Sequence, residues 1–450
     1  MSTPRAAARE RRTVLWVVSL CMAAMIFDGY DLVVYGTVVP VLLGDPTQLG
    51  ALSPVEAGRL GSYALFGVLV GALVAGAVGD RIGRRKVMLI NMVWFSVGMG
   101  VTAMTQSVGS FGLFRFLTGV GVGALVATVG AMVAEFAPAG KRNRYNAMVY
   151  SGVPAGGMLA ALIAIVLDDV TGWRGLFWVG ALPLVVLVPL ALAKLPESPK
   201  WLVARGRVAE AQAVCERHGL PMPAHEVVPA VDSEKVGFAA LASRRFGPAT
   251  LLLGTMSFAG LLLTYGLNTW LPEIMGQNGF GKSWALAFLL VLNGGAIIGG
   301  MLASTSADRI GARTVVSTTF LMATAALLLL PLGLPVAVVI AAVAIAGVGT
   351  IGTQVLIYGL VSNYYPTSAR AAGVAWCAGF GRLGGILGPV IGGALVGAVG
   401  GSAAAFRIFA AIAVVGAVVT LFVPKSRAEE APDVTLDPAE AAMVPSGAHA

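Results

Sequence analysis

The sequence predicts an all-α membrane protein whose twelve transmembrane helices form two pseudo-symmetric six-helix bundles. Three observations carry that prediction. Twelve apolar runs are each long enough to cross a bilayer, basic residues alternate in density between the segments joining them, and the second half of the chain repeats the first at a fixed offset.

The runs come first because composition already selects the solvent. Of 450 residues, 57% are hydrophobic and 12% charged, whereas a soluble domain carries about 25% charge. Crossing about 30 Å of hydrocarbon takes roughly 20 apolar residues in a helix. Such runs lie near 14–42, 57–79, 87–108, 111–136, 145–167 and 174–193, and again near 248–271, 283–306, 314–331, 335–360, 371–398 and 403–423. The first is too long for the apolar part of a cleaved leader and no cleavage pattern follows it, so it is retained. The 59 glycines have no three-residue period and suit helices that approach closely in lipid.

Charge fixes the orientation. With the N-terminus in the cytoplasm, the cytoplasmic segments hold 24 of the 30 Lys and Arg residues, and the outer loops hold only Arg59, Arg174, Lys282 and Arg407. That asymmetry is what membrane insertion selects, and it places both termini inside. The net charge of +8 is dispersed over these short loops, unlike the single basic face of a nucleic-acid binder. Cys21, Cys215 and Cys377 show no metal or redox spacing. His218, His225 and His449 fall outside the apolar runs, so proton chemistry inside the membrane is left to carboxylates. No metal or cofactor is expected.

The repeat divides the chain. Asp80-Arg81-Ile82-Gly83 returns as Asp308-Arg309-Ile310-Gly311, Pro138 with Arg142 as Pro366 with Arg370, Gly119 and Gly121 as Gly347 and Gly349, and Gly156-Gly157 as Gly384-Gly385, each 228 residues on. The expected organisation is an N-terminal bundle (1–193), a cytoplasmic central loop (194–247) with a helix-like stretch near Val208–His218, a C-terminal bundle (248–423) and a disordered cytoplasmic tail (424–450). Two parallel six-helix repeats imply rocking of one half against the other around a central site.

Charges inside the spans mark that site. A charge at a helix centre costs about 2.5–3.5 kcal/mol on insertion scales, and the first span carries two, Asp28 and Asp31, one turn apart. Exchange of the transported proton on this pair is the reading preferred here; a structural pair satisfied by hydroxyls or an Arg is its alternative. Arg382 lies deep in span eleven, where its repeat partner is Pro154, so symmetry did not require it. A guanidinium can hold a carboxylate by two parallel hydrogen bonds, which makes Arg382 the first candidate for an anionic substrate; a permanent bridge to Asp28 or Asp31 is the alternative. Arg115 in span four either snorkels to the outer surface or shares in coupling. An aromatic ligand needs flat apolar walls and a hydroxyl partner, for which Tyr35, Tyr265, Asn268, Asn293, Gln354, Tyr358, Trp376 and Phe380 are candidates. Asp80, Arg81 and Arg84, with Glu135 beside Arg142 and the repeat copy Asp308, are expected to gate the cytoplasmic side. Gly119-x-Gly121-x-Gly123 is a packing motif, because no strand precedes it as a dinucleotide site would need.

Gly76-x-x-x-Asp80-Arg81-x-Gly83-Arg84-Arg85 resembles the loop signature of the major facilitator superfamily. Arg115-x-x-x-Gly119-x-Gly121-x-Gly123 resembles its fourth-helix signature, and Pro196-Glu197-Ser198-Pro199-Lys200-Trp201-Leu202 its segment after helix six. The resemblance covers Val14 to about Val423. Within the superfamily, Asp28-Gly29-Tyr30-Asp31 looks like the Asp-Gly-x-Asp motif of the aromatic acid:proton symporters. This resemblance implies a secondary transporter in a bacterial cytoplasmic membrane, importing benzoate, a hydroxybenzoate, protocatechuate or a related acid with protons. Its implied partners are the acid, protons and the lipid bilayer, and a monomer is expected.

Three rivals stay open. Gly384-x-x-x-Gly388-Pro389-x-x-Gly392-Gly393 resembles an antiporter signature, which favours a proton-coupled exporter of drugs or metabolites, although that signature belongs in span five, where only Gly152–Gly157 survives. Pro196–Leu202 also suits a symporter of sugars or non-aromatic acids. A membrane enzyme would need a nucleophile or metal ligands, and the spans offer none.

Overall fold

The computed structural model describes residues 4–138, 141–223, 238–243, 246–365, 367–398 and 401–424, and every regular element among them is helical. The expected tail, and residues 224–237 of the central loop, lie outside the described residues.

The N-terminal half runs α1 (Pro4–Gly44), α2 (Pro54–Ile82), α3 (Arg84–Ala103), α4 (Val108–Phe136), α5 (Arg142–Tyr150), α6 (Gly152–Gly180) and α7 (Leu187–Lys194). The connecting segment holds α8 (Pro199–Ala204), α9 (Val208–His218) and α10 (Phe238–Leu241). The C-terminal half follows with α11 (Gly247–Gln277), α12 (Lys282–Ile310), α13 (Ala312–Leu329), α14 (Val336–Gly347), α15 (Thr353–Tyr364), α16 (Thr367–Val396) and α17 (Gly401–Phe422). Among the described residues eleven helical stretches are long and apolar enough to span a membrane, and Leu182–Lys194 is a shorter apolar one. The twelve spans survive because α6 is broken. At Gly172 the backbone takes φ 63° and ψ −178°, a left-handed turn that glycine adopts without steric cost. The chain there reverses into span six, which continues through α7.

That reversal is pinned by hydrogen bonds. Arg174 donates to the Gln48 side chain at 3.0 Å, to the Gln48 carbonyl at 3.2 Å and to the Thr105 carbonyl at 3.1 Å, joining three turns on the face away from the termini. We call this the far face, and the one carrying α8 and α9 the near face.

The repeat is visible as packing. In the N-terminal half α1 packs on α6 and α2 on α4; in the C-terminal half α11 packs on α16 and α12 on α14. The symmetry-related pairs approach in the same way. A Cβ at Gly29 or Gly156 would overlap the carbonyl of Val153 or Ile26, and one at Gly384 or Gly388 that of Phe258 or Leu262. Small residues at such crossings let backbones touch, which drives helix association where lipid removes the hydrophobic force. The antiporter-like glycines of α16 are therefore accounted for by packing on α11. Span ten contains a π-helical turn, Val348–Gly352, between α14 and α15, and such turns recur at functional sites. Leu73 (72% exposed), Val170 (80%) and Phe422 (70%) face outward, as lipid contact permits.

The halves meet through α2 with α16, α6 with α12, and α1 with α11. Ser62 Oγ donates to the Ile386 carbonyl at 2.5 Å, Gly58 sits against the Pro389 carbonyl, and Gly36 against the Asn268 carbonyl. By position along their helices, these contacts lie between mid-depth and the far face.

Candidate functional site

Helix α1 brings Asp28 and Asp31 to mid-depth, 3% and 0% exposed. Residues three apart sit on adjoining faces of a helix, and here that small rotation gives them different neighbours.

Asp31 belongs to Arg115. The Arg115 guanidinium donates to Asp31 Oδ1 and, at 3.3 Å, to the Asp31 carbonyl. The pair is sealed, with side chains 1% and 0% exposed. Tyr35 and Phe177 lie 5.6 and 5.7 Å from the guanidinium carbon, within the range of cation–π attraction. Tyr35 is itself 1% exposed and donates to the Ala57 carbonyl at 2.6 Å. Arg115 therefore does not snorkel to the surface, and Tyr35 roofs the ion pair instead of facing open space.

Asp28 belongs to the interface between halves. It lies within Coulombic reach of Arg382 on α16 and of Asp31 on its own helix. Arg382 is half-buried, and the phenols of Tyr265 on α11, Tyr358 on α15 and Tyr150 on α5 lie within its field. Among the described residues Asp28 Oδ1 has no hydrogen-bond partner. One carboxylate from the N-terminal half and one guanidinium from the C-terminal half thus lie within electrostatic reach of each other, with three phenols in the guanidinium's field. Such an arrangement can exchange partners: an incoming carboxylate can take the guanidinium while Asp28 takes a proton.

The remaining candidates separate. Gln354, 7% exposed, donates to Ser257 Oγ at 2.9 Å, and its Oε1 is unpartnered among the described residues. Trp376 and Phe380 stack at 5.4 Å and 23°; Trp376 donates to the Thr250 carbonyl and Phe380 packs on Phe258, so this pair lines the α11–α16 seam. Asn293 donates to Asn268 Oδ1 at 2.9 Å and to the Leu289 carbonyl, and Asn268 donates to the Thr264 carbonyl. Asn293 thus donates to Asn268 beside Gly157 of the other half.

On the near face the expected pair of Glu135 with Arg142 is replaced. Glu135 meets Arg84 at 3.5 Å, because α3 enters beside the end of α4, while Arg142 is exposed at the start of α5. Arg81 and Asp308 are exposed, and the Asp80 side chain lies outside the described residues. Glu197 accepts from the backbone N–H of Arg85 and of Ser198, both at 3.0 Å, and Arg85 donates to the Leu192 carbonyl at 2.7 Å. The 81–86 turn is thus tied to the segment after span six.

Sequence reading gave no role to Tyr150 or Ser257, and named Glu197 only as part of the motif after span six. Tyr150 is one of two tyrosines in span five, with Tyr145, a signal that was available. Ser257 carries none, since a serine in a span usually bonds its own helix.

A family model described as Major Facilitator Superfamily matches residues 20–362 and 289–447. The gentisate transporter of Corynebacterium glutamicum is 35% identical over 376 residues, covering 83% of this chain and 79% of that one. The benzoate transport protein of Acinetobacter baylyi is 32% identical over 394 residues, covering 84% and 83%. Among solved structures, the partially occluded inward open conformation of the xylose transporter from E. coli superposes with a TM-score of 0.72 at 18% identity, over 92% of this chain and 100% of that chain.

Proposed function

The chain belongs to the major facilitator superfamily, among its aromatic acid transporters, and from that premise we propose that it imports a small aromatic carboxylate by proton symport. The observation that carries this reading is that Asp28 and Arg382, one from each half, lie within Coulombic reach of each other while Asp28 Oδ1 is unpartnered among the described residues. In the cycle proposed, Arg382 holds the substrate carboxylate and the tyrosine hydroxyls supply further donors. Protonated Asp28 no longer competes for the guanidinium, so proton and anion bind together. With both bound, the charges at the interface are neutralised and the halves rock past each other at lower cost. The sealed Asp31–Arg115 pair holds α1 to α4 and keeps Asp28 in register.

Benzoate, gentisate, hydroxybenzoate and gallate, named for the relatives, share one carboxylate on one ring, which fits a single guanidinium. A monoanion carried with one proton is electroneutral. Accumulation then follows the pH gradient at about 1.4 kcal/mol, or tenfold, per unit. Each net positive charge carried in addition would bring about 2.3 kcal/mol per 100 mV. The basic near-face segments support a cytoplasmic location for both termini in a bacterial plasma membrane.

The test is uptake of a panel of labelled aromatic acids into proteoliposomes with an imposed inward proton gradient. Accumulation that collapses with a protonophore supports the proposal. If no acid enters and amphipathic cations leave instead, the protein is an exporter and the proposal fails.

A further inference from the structure

Lys282 is one of four basic residues in the outer loops, and neither the carboxylate site nor the near-face turn uses it. It opens α12. Its ammonium lies 2.8 Å from Asp168 Oδ2 and 2.6 Å from Asp169 Oδ1, both in α6 of the other half. Asp168 is 6% exposed, Lys282 49% and Asp169 81%.

Each member of this triad is badly placed for its own helix. The first turn of a helix carries partial positive charge and the last turn partial negative charge. Lys282 is the first residue of α12, and the two aspartates fall in the last turn before the Gly172 break in α6. A lysine at one end and two acids at the other each oppose the local dipole, and one acid is nearly buried. Local rules broken together mark places where another level of structure is served. The lysine and the acids offset one another only when α6 and α12, one from each half, stand side by side.

We propose that Lys282, Asp168 and Asp169 form a charged latch that holds the far face shut, and that must part whenever the carrier opens to that side. Breaking it exposes each helix end to its own misplaced charge, so the open state is disfavoured locally and closes again readily. Beside the latch a cavity of about 300 Å³ is lined by Thr37, Pro40, Pro272 and Lys282 itself, placing the latch at the mouth between α1, α11 and α12. The inference rests on the alternating-access reading but not on the identity of the substrate.

The test reads access to that cavity. The three native cysteines are buried, so Thr37→Cys supplies the reporter, labelled by a membrane-impermeant maleimide from the far side. Lys282→Gln should label about fivefold faster than Lys282→Arg, which keeps the charge. In a separate variant, Asp168→Cys with Lys282→Cys joined by a short bis-thiosulfonate bridge should suppress labelling until a reductant cuts the bridge. Equal labelling of the Gln and Arg variants, or unchanged labelling of the bridged protein, overturns the latch. No substrate is needed, so a failure here is distinct from a failure to find a transported acid.

Discussion

Asp31 and Arg115 offer the sharpest test, because chemistry predicts unequal consequences for removing either one. The pair is 0% and 1% exposed, and removing one partner of a buried ion pair typically costs about 3–5 kcal/mol. Asp31→Asn leaves a guanidinium that cannot lose its proton, held between Tyr35 and Phe177. That cost should not change between pH 5 and 8. Arg115→Gln leaves a carboxylate, which can be neutralised by protonation, so its cost should shrink as pH falls. The double variant removes both charges and should recover about 2–3 kcal/mol of the summed losses, within the range for residues in direct contact. Unfolding can be followed with a thiol-reactive fluorophore, since Cys21, Cys215 and Cys377 are buried in the native state. Additivity of the two substitutions to within about 0.5 kcal/mol would refute the pairing, as would identical pH dependence of the two single variants.

Three further outcomes follow from the site and the packing. Asp28→Asn should abolish accumulation driven by a pH gradient while sparing exchange of labelled for unlabelled substrate; retained proton-driven accumulation would remove Asp28 from coupling. Arg382→Lys keeps the charge but loses the planar fork, so half-saturation for carboxylates should rise about tenfold, with Arg382→Gln worse, measured by exchange kinetics. Gly156→Val should destabilise the protein by about 1–3 kcal/mol, because its side chain meets the Ile26 carbonyl, whereas the same change at Gly109, with open space around it, should be nearly silent in the thermal midpoint.

The spans, the repeat and the presence of charges at mid-depth were legible in the chain because each depends on local information. Hydropathy over about 20 residues decides whether a segment can leave water, and a duplicated segment keeps its spacing whatever it packs against. Even the crossing of α1 with α6 and of α11 with α16 is foreshadowed by paired glycines one repeat apart. The sixth span was less regular than its hydropathy suggested, because Gly172 turns the helix and Leu182–Leu184 tightens it.

What the chain could not decide was partnership. Two acids and two arginines stood out as candidates inside the spans, and sequence left open which arginine met which acid, or whether either met a ligand. Asp28 and Asp31 are separated by about 60° around one helix, so the choice rests on which neighbour occupies each sector. Only the packed bundle supplies that: α4 places Arg115 against Asp31, and the meeting of the two halves brings Arg382 toward Asp28. The same limit hid the latch, since Lys282 and Asp168 are 114 residues apart and read locally as misplaced charges. Electrostatic energy depends on distances through space, and those are fixed by how helices dock, not by the order of residues along them.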